Sequence, residues 1–331
     1  MFISLLLSGF LTLVELNCEN LFDYQHDSLK QDQEYLPDAP RRWTSRRYWR
    51  KLNNIGQEIL SCCDDAIPGL VALCEVENDS VLRDLTRRSL LRNAGYEYLV
   101  TNSPDVRGVD VALLYSPFAF ALVNWRSIRV TPVEGMRPTR DILYAAGRIT
   151  SGDTLHVFVV HAPSRYGGER RSRPFRLCVA QTLCQALDSL QQCSPDAKVV
   201  VAGDFNDYDD SPSLKLYAQY GLRNLTVGAR GRDDSNGRNS NRNRDSSRND
   251  NRNREAARGT YRYKGLWGSL DHVLASPSLA RHADSVFIND ALFLTEEETT
   301  YGGRRPRRTY NGMKYQPGYS DHLPLVVRFS W

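Results

Sequence analysis

VVAGDFNDYDD, Val200 to Asp210, is a β-branched apolar run that ends abruptly in four aspartates and an asparagine. A run without polar alternation reads as a strand covered on both faces. Runs of the same character recur at 11–16, 70–74, 96–100, 109–115, 120–130, 142–149, 155–160, 270–275 and 323–329, which with 198–202 makes ten expected strands. That is more than one open parallel sheet usually holds. The expected fold class is therefore α/β, with two mixed sheets packed face to face and helices over their outer faces.

Three amphipathic stripes supply helices for those faces. Leu52, Ile55, Ile59 and Leu60 follow a Thr44 or Ser45 cap; Val81, Leu82 and Leu85 follow Asn78 or Asp79; Leu183, Leu187 and Leu190 follow Ser172 and Pro174. In the opening stretch, Asp204 and Asn206 fall on one side of an extended chain and Phe205 on the other. Asp207, Asp209 and Asp210 then read as strand end and cap for a short helix at SPSLKLYAQY.

The chain has 331 residues, 41% hydrophobic, enough to bury a full core. Its net charge of +4 comes from Gly228 to Gly259, which holds nine Arg against five acids, while the remainder carries 34 residues of each sign. Global charge is thus silent about partners. The 228–259 segment is nearly devoid of apolar side chains and reads as a disordered insertion, with a polyanion-holding arm as the alternative. Seven cysteines without a CxxC pair or zinc spacing read as free thiols.

Residues 1–10 are apolar, as in a leader, but lack a basic n-region and an A-x-A site, and they run straight into the first strand. The apolar run is too short and too broken to span a membrane. A reducing, cytoplasmic interior fits the cysteines, whereas a leader would mean export. The expectation is one catalytic domain over 11–331, acting as a monomer.

Polar residues sit at the strand ends in a recurring way: Asn17 and Glu19 in VELNCEN, Glu75 in VALCEVEN, His161 in VFVVHAPSRYGG, Asp204 and Asn206 in VVAGDFND, Asp321 and His322 in GYSDHLPLVV. Asp271 opens another strand in GSLDHVLAS. Carboxylates desolvated at sheet ends repel one another unless a cation joins them, and oxygen donors suit Mg²⁺ or Mn²⁺ better than zinc. His161 and His322 add groups that titrate near neutrality. Arg107 and Arg165 are candidate phosphate contacts because a guanidinium grips phosphate bidentately. Asp110 is placed to orient Arg107 or His161, and His156 and His272 read as packed or solvated. Such a set suits hydrolysis of a phosphate ester.

The ordered motifs LNCEN, CEVEN, RGVDVALLY, HAPSRYGG, GDFND, SLDHV and SDHLP resemble the endonuclease/exonuclease/phosphatase superfamily of metal-dependent phosphoesterases. The start at Asn17 to Asp23 and the stretch from Arg41 to Ile55 are similar to a bacterial branch of it. The resemblance implies a four-layered α/β sandwich with its site at one end of the paired sheets. It implies Glu75 as main metal ligand, aided by Asn17, Glu19 and Asp321. Asp204 would activate or position water, Asn206 hold a phosphoryl oxygen, His322 pair with Asp271, and His161 bind phosphate or assist the leaving oxygen. Two substrate classes remain open: nucleic acid, for which 170–176 and 302–308 offer basic runs, and a small or lipid-linked phosphate ester. A site-dead phosphate binder is disfavoured because every expected position is filled.

Overall fold

The computed structural model describes residues 9–64, 66–232 and 256–331. Residues 1–8 of the apolar start and 233–255 of the insertion lie outside the described residues. Twelve strands build two sheets: β1 (Phe10–Leu21), β2 (Leu70–Val76), β3 (Glu97–Val100), β4 (Asp110–Tyr115), β5 (Phe120–Ile128), β6 (Ile142–Ile149), β7 (Thr154–His161), β8 (Lys198–Asp204), β9 (Arg223–Asn224), β10 (Asp271–Ala275), β11 (Ala283–Ile288) and β12 (Leu325–Ser330). One sheet has the order β11-β12-β1-β2-β4-β3, the other β5-β6-β7-β8-β10-β9. All ten expected strands are present. β9 and β11 add to them; β11 is a half-exposed edge strand whose bulged sequence ADSVFI lacks a continuous apolar signal.

Alternation of side chains assigns each strand two faces. Leu11, Leu13, Leu70 and Ala72 pack inward against Val157, Val159, Val200, Ala202 and Val273. Their neighbours Val14, Leu16, Val71 and Leu73 face outward onto Leu52, Ile55 and Ile59 of α1 (Ser45–Leu60) and Val81, Leu82 and Leu85 of α2 (Asp79–Arg87). On the other side, Phe158, Val160, Val199 and Val201 meet Val179, Leu183 and Leu187 of α3 (Glu169–Cys193) and Leu214 of α4 (Pro212–Gln219). The result is four layers. Each fully buried Leu contributes roughly 1.5–3 kcal/mol, which is why both faces of the central strands had to be apolar.

Side-chain caps start two of these four helices, α2 and α4, while Thr44 at the start of α1 makes no capping hydrogen bond. The Asn78 side chain accepts from Val81 N at 3.0 Å, as its sequence position predicts. α3 differs: it begins at Glu169 after Gly168, and Pro174 lies inside it. Ser172 does not cap, because its hydroxyl bonds back to Gly168 O at 2.9 Å. Similarly, α4 is capped by Ser211, not by the preceding aspartates.

Each sheet contains one parallel pair at its centre, β1 with β2 and β7 with β8. Their C-terminal ends carry Asn17, Glu75, His161 and Asp204. β10 and β12 run antiparallel to β8 and β1, so Asp271 and the segment before Leu325 arrive at the same end. Gly203 allows the close approach there: at φ +151°, an added Cβ would lie 1.8 Å from Val160 O.

Candidate active site

Inward register positions Glu15, Asn17, His161, Asp204 and Asp271 between the sheets, continuing the rows of Leu13, Val159, Ala202 and Val273. Local backbone then aims further groups. Glu19, Asn20, Glu75 and Asn206 all adopt left-handed φ, between +49° and +60°. Both β1 and β2 are irregular at these points. Such residues are strained by about 1 kcal/mol or more each, and strain of this kind collects at functional sites. Asn206 therefore does not continue an extended strand as alternation predicted. It turns: its N–H donates to Asp204 Oδ1 at 2.8 Å and its side-chain amide to Ala162 O at 3.1 Å, while Phe205 packs outward as expected.

Two linked groups form the centre. Asn17 Nδ2 donates to Asp204 Oδ2 at 3.0 Å, and His161 Nε2 lies 3.8 Å from that oxygen and 3.9 Å from Glu75 Oε1. His322 Nδ1 is 2.7 Å from Asp271 Oδ2, which also receives the Thr260 hydroxyl. One donor atom from each of Asp204, Asp271 and His322 falls within 4.8 Å of the others. Asp271 Oδ1 and His161 Nδ1 are buried with no protein partner.

Burial and then the Asp271 charge push the Asp204 carboxyl up to about 7. Burial holds His161 well below the usual imidazole value, aided by Arg140, Arg107 and His322, so it is neutral. For His322 burial acts in the same direction, yet Asp271, Asp204 and Asp321 outweigh it and raise its pKa well above normal. Behind Asn17, Glu15 is fully buried with neither oxygen bonded; burial, then Asp271 and Asp204, keep it far above the ordinary carboxyl range. Two unit charges at 4 Å interact by about 4 kcal/mol at an effective dielectric of 20. A crowd of buried acids in which Asp271 Oδ1 and both Glu15 oxygens lack a partner fits a hard divalent cation.

The remaining candidates divide. Glu75 Oε2 accepts Asn20 N at 2.9 Å, and its Oε1 is 3.7 Å from Arg107 Nη2, which donates to Asn20 Oδ1 at 2.6 Å. Glu19 turns toward the backbone at Thr309 and Tyr310, accepting Thr309 N at 2.6 Å, with Lys51 Nζ at 3.9 Å. Arg308 joins Glu19 to Asp321, making a second acidic pair beside the first cluster. Arg165 is committed to Asp207 at 3.0 Å and Glu169 at 3.2 Å rather than offered to a ligand. Asp110 orients neither Arg107 nor His161; it accepts from Thr101 and Ser103. Asp207 is no cap but a fully buried acceptor between Arg165, Arg176 and Ser213. His272 is packed as expected, its ring bonded to Asn224, Thr226 and Asp207 O.

Sequence reasoning overlooked Arg140, Thr260, Lys51 and Arg308 as individual site residues. Arg140 is buried and ties His161 O, Ala162 O and Asp105 together. Only the basic run at 302–308 gave any signal, for Arg308.

The sequence profile of the Endonuclease/Exonuclease/phosphatase family matches residues 12–330. The chain belongs to that family. It is a phosphoester hydrolase by that membership. Among curated protein sequences none matches this chain. Solved structures share the family fold: an endonuclease/exonuclease/phosphatase family protein from Bacteroides thetaiotaomicron (16% identity, TM-score 0.59, covering 97% of this chain and 98% of that one). The human Nocturnin catalytic domain with bound sulfate anion follows at 21% identity and TM-score 0.55 over 98% and 95% of the two chains. A mannosyl-6-phosphatase from Bacteroides thetaiotaomicron gives 16% identity and TM-score 0.57 over 96% and 98%.

Proposed function

We propose that this family member is a Mg²⁺- or Mn²⁺-dependent phosphodiesterase acting on nucleic acid. The observation that carries the hydrolytic part is the convergence of Asn17, Glu75, His161, Asp204, Asp271 and His322 at one end of the paired sheets. Glu75 and Asn17, with Glu19 and Asp321 beside them, would hold the ion. A bound ion of this kind neutralises phosphoryl charge and lowers the pKa of a coordinated water.

The chain's own groups supply the rest. Asp204, fixed by hydrogen bonds from Asn17 Nδ2 and Asn206 N, is the acceptor that orients the attacking water. His322, oriented by Asp271, presents positive charge to the phosphate. His161, kept neutral, binds a phosphoryl oxygen by hydrogen bond without competing for the cation. Arg107 sits at the rim as the phosphate clamp.

The same scaffold carries a sugar-phosphate phosphatase in a solved structure, so a small ester is the competing reading. The test is a panel of duplex DNA, abasic DNA, RNA, inositol phosphates, sphingomyelin and mannose 6-phosphate, each with Mg²⁺, Mn²⁺ or EDTA. Turnover of a nucleic acid that EDTA abolishes is expected. Turnover confined to a monoester overturns the substrate assignment.

A further inference from the structure

A groove of about 630 Å³ opens beside the catalytic end, within the size range of ligand sites. It shares a wall with the site. Arg107, whose guanidinium reaches Glu75, lines it, and so does Arg140, which holds the carbonyls of His161 and Ala162. The acid in that wall, Asp105, is buried and paired with Arg140 at 3.2 Å. Its charge is therefore spent inside the protein.

Two other arginines of the groove, Arg137 and Arg171, are exposed and make no ion pair among the described residues. By contrast, Arg165 and Arg176 are committed to Asp207. Tyr166 stands at the edge, 93% exposed, while Met136 and Phe175 give the floor apolar surface. A sugar phosphate would need hydroxyl-binding acceptors here, and the one carboxylate is occupied. Two free guanidinium groups with an exposed ring and an apolar floor match repeating phosphate with flat bases.

We propose that this groove binds single-stranded nucleic acid next to the scissile phosphate, with Arg137 and Arg171 on flanking phosphates and a base stacked on Tyr166. The inference rests on the nucleic-acid reading above and narrows it to a single-stranded segment. Its position beside Arg107 makes it the path by which the strand enters the site.

The test uses the full chain and a fluorescein-labelled eight-nucleotide oligothymidylate, followed by anisotropy in EDTA, where hydrolysis is stopped. Arg137→Ala/Arg171→Ala is expected to lose 10- to 100-fold in affinity and to flatten the dependence of log K on log salt by about 1.4, two single-strand phosphate contacts. Tyr166→Ala should lose about 10-fold with the salt slope unchanged. Hydrolysis of bis(p-nitrophenyl) phosphate with Mg²⁺ should be unaltered in both variants. Unchanged affinity in the variants, or equal displacement of the oligomer by mannose 6-phosphate, overturns the groove. A wild type that binds the oligomer but cleaves no diester sinks the phosphodiesterase reading and leaves the groove standing. One that cleaves the diester but binds no oligomer does the reverse.

Discussion

His322 Nδ1 lies 2.7 Å from Asp271 Oδ2, although 51 residues separate them in the chain. Both are buried, and the Thr260 hydroxyl donates to the same oxygen. The imidazolium is thus oriented and charged by a carboxylate that is itself fixed. Asp271→Asn preserves shape but removes that charge. The rate should fall by roughly 10²- to 10⁴-fold, with His322→Ala in the same range and circular dichroism unchanged. In Asp271→Asn the alkaline limb of the pH–rate profile should also move to lower pH, since His322 loses its largest positive influence. Wild-type turnover in either variant removes the pair from the mechanism.

Asp204 is the carboxylate that the rest of the cluster surrounds, bonded by Asn17 at 3.0 Å and Asn206 at 2.8 Å. Asp204→Asn cannot accept a proton and places an amide where two donors already point. A loss of about 10²- to 10⁴-fold in kcat is expected, without loss of folding, because the native carboxyl is already poorly solvated. Thermal unfolding in EDTA should show a cooperative transition close to that of wild type, because loss of a buried charge offsets the one donor that the new amide leaves unpaired. A large drop in melting temperature would reassign Asp204 to a structural role.

In the absence of a divalent ion, stability should decline as pH rises from 6.5 to 8.5. Asp204 and Glu19 are pushed up to about 7 and Glu58 to about 8 by burial, against ordinary values of 3.8 and 4.5. A raised carboxyl pKa contributes stability that is present below the unfolded value and lost as pH climbs through the folded one. His322, raised above 6.5, has the same sign. His161 has the opposite sign, but its effect lies below pH 6.5 and is absent in this window. Mg²⁺ favours the ionised carboxylates, so its stabilising increment should be greater at pH 8.5 than at 6.5. Equal increments in calorimetry at the two pH values would falsify this linkage.

Gly203 is the residue of GDFND with no tolerance for a side chain. Its φ of +151° and the 1.8 Å approach of an added Cβ to Val160 O leave backbone against backbone, so nothing can rotate away. Gly203→Ala should destabilise by more than about 4 kcal/mol, in the range reserved for broken backbone geometry. The check is chemical denaturation of the soluble fraction. A midpoint close to wild type would mean that β7 and β8 separate more easily than the register implies.

Much of this architecture was legible because burial on both faces leaves no choice of residue type. The runs at Leu70 to Cys74 and Lys198 to Ala202 could only be interior strands, and the acids that interrupt them mark a common end. β11 escaped notice because an edge strand with one open face carries no such constraint. Within the site, Asp271 and His322 were legible as strand-end polar residues. Arg308 and Lys51 were not, since their meaning depends on meeting Glu19 across some 30 to 290 residues. Asp207 misled for the reverse reason: it looks like another loop acid, yet it is the buried partner of Arg176 at 2.9 Å.

The insertion begins and ends at one place in the fold. Gly231 N donates to Ala257 O at 2.7 Å, Ala257 N donates to Asp290 at 3.0 Å, and Gly231 bridges Ile288 at the end of β11. The described residues at both margins of the 228–259 segment thus belong to the packed structure. Replacing residues 233–255 by a short Gly-Ser link spans ends that are already hydrogen-bonded neighbours, and loop-closure entropy changes little with length. Hydrolysis of a small chromogenic diester should stay within about twofold of wild type, and the denaturation midpoint should not move. Cleavage or binding of long nucleic acid is the measurement that separates the two readings of the segment. A loss there alone, growing as salt is lowered, assigns it as a polyanion-holding arm, whereas loss of the small-diester rate makes it part of the site.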